Sequence, residues 1–224
     1  EENTEDEEEG LLREELLNVL TEKDRTDCRA EVLEEHLRFA MPYEEELEHS
    51  VFVNYVLNPR IDDEVLMKYR EVIENTFSEE EKLCFRENPA SIWTEVDKRI
   101  NSIPERERAS VITTPAGCLK TKVGSILSKK ILFVAIARTL GIPARLNPED
   151  RSMEYRKDGR FIPVLPEAEK NCHIVLKAGD GTQWKYFQNW SMAKLENGTY
   201  TSLRLGGLLW KDDLLEADLE AGTY

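Results

Sequence analysis

The sequence predicts an α+β protein, with a helical N-terminal half followed by one buried helix packed on an antiparallel sheet. Three observations carry that reading. Between residues 11 and 101, apolar side chains recur at intervals of three and four. Residues 125–141, SILSKKILFVAIARTLG, are apolar almost all round, as in a helix buried on nearly every side. Beyond them come short extended runs separated by Asp158-Gly159, Gly179-Asp180-Gly181 and Asn197-Gly198, which are hairpin-type connections.

The helical half resolves into successive stripes. Leu11, Leu12, Leu16 and Leu20 form the first, and Val32, Leu33, His36 and Leu37 form a second after a cap at Thr26 or Asp27; Pro42 stops that helix. Leu47, Val51 and Tyr55 line a third that ends before Asn58-Pro59. Leu66, Tyr69, Ile73 and Phe77 form a fourth, and Ser78-Glu79-Glu80-Glu81 starts the next helix. Asn88-Pro89 opens a helix with Ile92, Trp93, Val96 and Ile100 inward. His36 reads as a packed histidine and His49 has no obvious partner.

After Pro104, residues 111–115 and 118–120 read as short extended pieces around an Ala116-Gly117 turn. The apolar helix then ends at Leu140, with Gly141 as its C′ residue and Ile142-Pro143 fixing the exit. Strands are expected at residues 160–164, 173–176, 183–187 and 200–203. The organisation expected is an acidic disordered lead-in over 1–10, a helical region over 11–104, the core over 105–210 and an acidic segment over 211–224. The chain begins Glu1-Glu2-Asn3 and is read as an excised or processed segment.

Charge separates these regions. Residues 1–10 hold seven acids and no base, and residues 11–100 hold 23 acids against 12 bases. Residues 101–210 reverse the balance, with 17 bases against 10 acids. A formal net charge of −15 argues against non-specific binding to nucleic acid or anionic lipid, though least so for that basic region. No stretch approaches the roughly 20 apolar residues of a membrane helix. Neither a phosphate loop, a Rossmann fingerprint nor a paired-carboxylate site is evident, so no cofactor is expected. Cys28, Cys84, Cys118 and Cys172 show neither a C-x-x-C pair nor zinc-type spacing, so they read as separate thiols and no metal is expected.

At residues 133–145, FVAIARTLGIPAR, the chain resembles the transglutaminase-like superfamily, and Asn58-Pro59-Arg60 looks like a feature of its bacterial multidomain members. The resemblance covers residues 111–200 as a fold and about thirteen residues as a close motif. It implies a papain-like fold in which a buried helix carries a nucleophilic Cys at its N-terminus, served by His as base and Asp as orienter. A helix N-terminus suits a thiolate because its partial positive charge favours the anion. Here the corresponding positions are Gly124-Ser125-Ile126, so isoleucine stands where the nucleophile would.

The other two positions depend on the strand matched. Matching residues 158–165 puts the Asp position at Leu165 and the His position near Asp150 or Arg151, and this local match is the closer. Matching Cys172-His173 keeps His173 and puts the Asp position at Gln188 or Asn189. The resemblance with its missing nucleophile therefore implies a catalytically inactive domain serving binding or architecture in a larger bacterial protein. Its partner would be a protein, peptide or glycan, met by Trp184, Tyr186 and Trp190, with Phe187 beside them. The alternative is an active cysteine hydrolase or acyl transferase on peptide or glutamine amide bonds, with Cys118, His173 and Asn189 as its catalytic candidates. A third reading has the acidic helices dock a basic partner. The compartment stays open, an extracytoplasmic or cell-surface setting being favoured over the cytoplasm.

Overall fold

The structure is a computed structural model that describes residues 2–102, 112–164, 171–179, 184–196, 199–203, 210–220 and 222–224. It is of the α+β class, and the chain divides into two compact units, Glu1–Leu165 and Pro166–Tyr224. Residues of the helical region and of the central helix share one hydrophobic core.

In the first unit, α1 (Glu2–Val19) is followed by α2 (Glu22–Asp27) and α3 (Ala30–Ala40). The acidic stretch expected to be disordered is thus the first half of α1: glutamate is a good helix former, and acids in a first turn meet the positive end of the helix dipole. Thr26 and Asp27, expected to cap α3, lie inside α2 instead; the N-cap of α3 is Arg29, which makes no side-chain cap bond, while Thr21 opens the short α2, its Oγ1 accepting the Asp24 amide. A 3-10 turn, Met41–Tyr43, holds Pro42 and stops α3 as expected. Then α4 (His49–Phe52) runs into a π-turn, Val53–Leu57, ending at Asn58.

After α5 (Arg70–Thr76), Ser78 and Glu81 form a reciprocal capping box that starts α6 (Glu79–Glu87). Pro89 lies in a turn instead of the first helical turn: the Ser91 amide and hydroxyl both donate to the Asn88 carbonyl, and α7 (Ser91–Arg99) follows. Strand β1 (Asn101–Ser102) pairs in parallel with β2 (Val123–Gly124). Between them Pro115–Thr121 is α8, where extended chain was expected. Thr114 caps it by accepting the Gly117 amide, with Pro115 in the first turn, a helix-start pattern that outweighs the β-branched residues before it. Val111 lies outside the described residues.

The apolar segment is α9 (Ile126–Thr139), and every residue from Ile131 to Ala137 is fully buried. It is packed against α5, α7, α8 and two strands of the sheet β3 (Ala144–Leu146), β4 (Met153–Lys157) and β5 (Arg160–Pro163). That sheet is antiparallel, in order β3-β4-β5. Asp158 (φ 49°) and Gly159 (φ 76°) turn the β4–β5 hairpin as expected. Each large side chain buried in α9 contributes about 1.5–3 kcal/mol. Gly141 also adopts φ 76°, and a Cβ there would lie 2.3 Å from Tyr43 Cδ1, so both its conformation and its neighbour require glycine. A second cluster joins Leu12 and Leu16 to Leu37, Phe52, Val56 and Leu57.

Among its described residues the second unit holds two separate antiparallel pairs. β6 (Asn171–Lys177) pairs with β9 (Leu214–Glu220), and β7 (Ala193–Glu196) with β8 (Thr199–Ser202). The segment expected to be an acidic tail is therefore largely strand β9, whose Leu215, Ala217 and Leu219 are buried at alternate positions. Of the strand expected at 183–187, residues 184–187 instead run into a turn closed by the Tyr186–Trp190 bridge; Gln183 lies outside the described residues. So do Asp180-Gly181 and Asn197-Gly198 of the expected turns.

Candidate functional site

The site to build is the N-terminus of α9. Extended residues 123–125 deliver the chain to the helix, and Ser125 caps it, its Oγ accepting the Ser128 amide at 3.1 Å. Ser128 is fully buried; its Oγ accepts the Thr113 amide at 2.9 Å and shares a 3.0 Å hydrogen bond with the Ser125 hydroxyl. Both hydroxyls are thus committed to holding the residue 113 segment against the helix start. Ile126, at the position where the resemblance expects a nucleophile, is 38% exposed. It forms no plug over the helix end; hydroxyl and amide groups occupy that turn.

Cys118 sits in α8 and is fully buried. Its thiol faces the Thr113 carbonyl at 3.8 Å, and a Cβ on Gly124 would stand 3.0 Å from its sulfur, so glycine lets the thiol pack beside the start of α9. Burial pushes this thiol up to about 11, which keeps it protonated and a poor nucleophile at neutral pH.

The sequence reading overlooked Lys129. It is buried in the first turn of α9, its ammonium paired with Asp97 and 3.2 Å from Ser102 Oγ, over the Trp93 ring at 5.6 Å. An ammonium bound to a carboxylate donates protons and takes none, so this is a tie from α9 to α7 and β1, not a Ser–Lys catalytic pair. The available signal was a lysine inside a helix apolar on every other face.

At the far end of α9, Arg138 is buried and its Nε donates to the Ala144 carbonyl at 2.9 Å. Its Nη1 donates to the carbonyls of Asn58 (2.6 Å) and Arg60 (2.9 Å). The two sequence features tied to the resemblance, 58–60 and 133–145, therefore meet through one guanidinium.

Histidine is not available at the α9 start from the two histidines of this unit. His36 bonds Arg70 and Met67, and His49 has a partner after all, Glu15 at 2.7 Å. His173 belongs to the second unit, on β6 opposite Asp218 in the register with β9. Asn189 is a turn-forming residue there, its Oδ1 accepting the Lys185 amide at 2.7 Å. Leu165 lies outside the described residues.

The expected aromatic surface is only partly one. Tyr186 is a staple: its hydroxyl donates to the Leu203 carbonyl at 2.7 Å and accepts the Met192 amide at 3.3 Å. Trp184 and Trp190 are half-buried with Trp210, at ring separations of 6.2 Å (Trp184–Trp210) and 5.7 Å (Trp190–Trp210). Their indole N–H groups are buried and make no hydrogen bond among the described residues. Phe187, at φ 61°, is 64% exposed.

A cavity of about 440 Å³ lies apart from α9, lined by Asp24, Cys28, Arg60, Asp62 and Glu64 among others. Its buried charges answer one another, with Arg60 forked onto Asp24. Among the described residues no group of three or more His, Cys, Asp or Glu side chains could hold a metal ion, and no helix is long and apolar enough to cross a membrane. Compared with protein families, with curated proteins and with solved structures, the chain matches none.

Proposed function

We propose that the chain is a catalytically inactive transglutaminase-like domain, retained for binding or architecture within a larger bacterial protein. The observation that carries this reading is the start of α9, where Ser125-Ile126 stands at the place of a thiolate, the Ser125 hydroxyl is spent on capping and the Ser128 hydroxyl on the Thr113 amide. Cys118, the one thiol beside that helix start, is buried and held protonated. Arg138 supports the scaffold half of the reading, because it holds the glycine-isoleucine-proline exit and the 58–60 segment in one place. The partner such a domain would take is an extended peptide or a glycan; within the second unit by itself, Phe187, Trp184 and Trp190 are the aromatic candidates for meeting it.

Incubation with a glutamine-donor peptide and a primary amine tests the reading. No isopeptide product and no ammonia release are expected. Turnover that persists in a variant lacking all four cysteines overturns it, and turnover abolished by Cys118→Ala alone replaces it with a cysteine acyl transferase.

A further inference from the structure

Three cationic or titratable side chains are buried where α3, α5 and α9 meet: His36 and Arg70 fully, and Arg138 almost so. His36 lies between two fixed partners. Arg70 Nε is 3.0 Å from its Nδ1, and the Met67 carbonyl is 3.2 Å from its Nε2. A guanidinium nitrogen always carries its hydrogen, so Nδ1 must accept; a carbonyl only accepts, so Nε2 must carry the proton. The geometry therefore demands one neutral tautomer. The same Arg70 donates to the carbonyls of Arg138 (3.0 Å), Val56 and Leu57. One guanidinium thus holds the end of α9 and the π-turn to α5, and the imidazole aims it.

We propose that His36 is an acid-sensitive latch on the segment from Asn58 to Arg70: a proton gained at Nδ1 replaces the bond from Arg70 with two N–H groups and two positive charges facing each other. The segment is held at one end by Arg138 on the Asn58 and Arg60 carbonyls. At the other end Arg70 Nε is bonded to His36 Nδ1 at 3.0 Å, the tie that this proton removes, beside the Glu35 carboxylate that accepts the Arg70 amide at 2.9 Å. Arg60 and residues 62–66 line the 440 Å³ cavity, so release of the latched end opens that wall.

The groups facing the latch are Glu35 on α3, Tyr69 edge-on at 4.6 Å, Arg70 on α5, Glu64 on the segment itself, Tyr43 of the 3-10 turn and Arg138 of α9. Burial first, and the Arg70 charge second, hold His36 well below the ordinary histidine range. The closed state consequently stays neutral while an opened state takes up a proton below about pH 6.5, so acid favours opening by up to about tenfold per pH unit.

Hydrogen exchange of the amides of residues 67–73, expressed as protection factors so that intrinsic rates cancel, reads the latch directly. Between about pH 6 and pH 5 the wild-type chain is expected to lose roughly tenfold protection in this segment. His36→Gln is expected to show no such loss, since a side-chain amide can accept from Arg70 and donate to Met67 without titrating. Protection independent of pH in the wild type overturns the proposal. So does an equal loss in H36Q, which transfers the effect to Glu35 or Glu64. Nitrogen NMR of the wild-type imidazole decides the matter if H36Q does not fold. A neutral Nε2–H tautomer that persists below the ordinary range and takes up its proton together with the loss of protection supports the latch; an imidazole that titrates normally in the folded chain overturns it.

Discussion

Arg138 donates to the carbonyl of Asn58 at 2.6 Å across 80 residues of sequence, and the same Nη1 reaches the Arg60 carbonyl. Its remaining described bond goes to the Ala144 carbonyl. The charge faces no carboxylate in that ring of acceptors; main-chain oxygens solvate it, and burial lowers its pKa to about 10, leaving it ionised at neutral pH.

Removing that guanidinium strands three carbonyls, that of Ala144 buried and those of Asn58 and Arg60 half-buried. Arg138→Met is expected to cost about 3–5 kcal/mol, and Arg138→Lys to recover only part of it, because an ammonium cannot span the same forked set. Urea denaturation of the two variants beside wild type gives both numbers; a loss below about 1 kcal/mol in Arg138→Met contradicts the account.

Gly141 tests the exit from α9. Alanine there meets a left-handed backbone and the ring of Tyr43 at once. Gly141→Ala is expected to destabilise the first unit by about 2–4 kcal/mol, and pairing it with Tyr43→Ala to remove the steric part of that cost. A double-mutant cycle in denaturant reads the coupling.

Thiol chemistry separates the four cysteines. Cys84 and Cys172 are exposed and are expected to react with iodoacetamide in the folded chain, whereas Cys118 reacts only on unfolding. Ile126→Cys places a partly exposed sulfur in the first turn of α9. That new thiol is expected to alkylate at neutral pH faster than Cys84 and yet to support no acyl transfer, since no histidine of the first unit is free to serve it. Mass spectrometry of labelled peptides follows all five sites. Acyl transfer by the variant would show that a base is within reach.

Acid acts on a second pair. Burial alone would raise the Asp24 carboxyl, but hydrogen bonds from Arg60 and Thr21 outweigh it and hold the group below its ordinary value. A folded-state value below the unfolded one means stabilisation that is complete above the ordinary aspartate range, near pH 4, and is lost as pH falls through the folded value. Asp24→Asn is expected to flatten the stability profile below about pH 4 and to cost about 3 kcal/mol at neutral pH, where Arg60 loses its forked partner. Thermal unfolding between pH 2 and pH 7 checks both.

Local rules written in short stretches were readable in the chain. Ser78 with Glu81 announces a capping box, Asp158-Gly159 a tight hairpin, Gly141 a left-handed helix end, and residues 131–137 a helix buried on every side. Thr114-Pro115 is the same kind of signal for α8, and in the fold it prevails over the β-branched residues before it. The α+β class follows from these patterns because each depends on hydrogen bonds or side-chain spacing within a few residues.

Tertiary structure alone decided which distant groups answer one another. Nothing local tells that Arg138 solvates itself on Asn58 and Arg60, that Arg70 and Met67 fix the tautomer of His36, or that Lys129 finds Asp97. It also decided that Cys118 is a packing group and that the acidic C-terminal segment is strand β9. A buried polar group must be satisfied, but its partner can lie anywhere along the folded chain, and only the packing of the elements brings the two together.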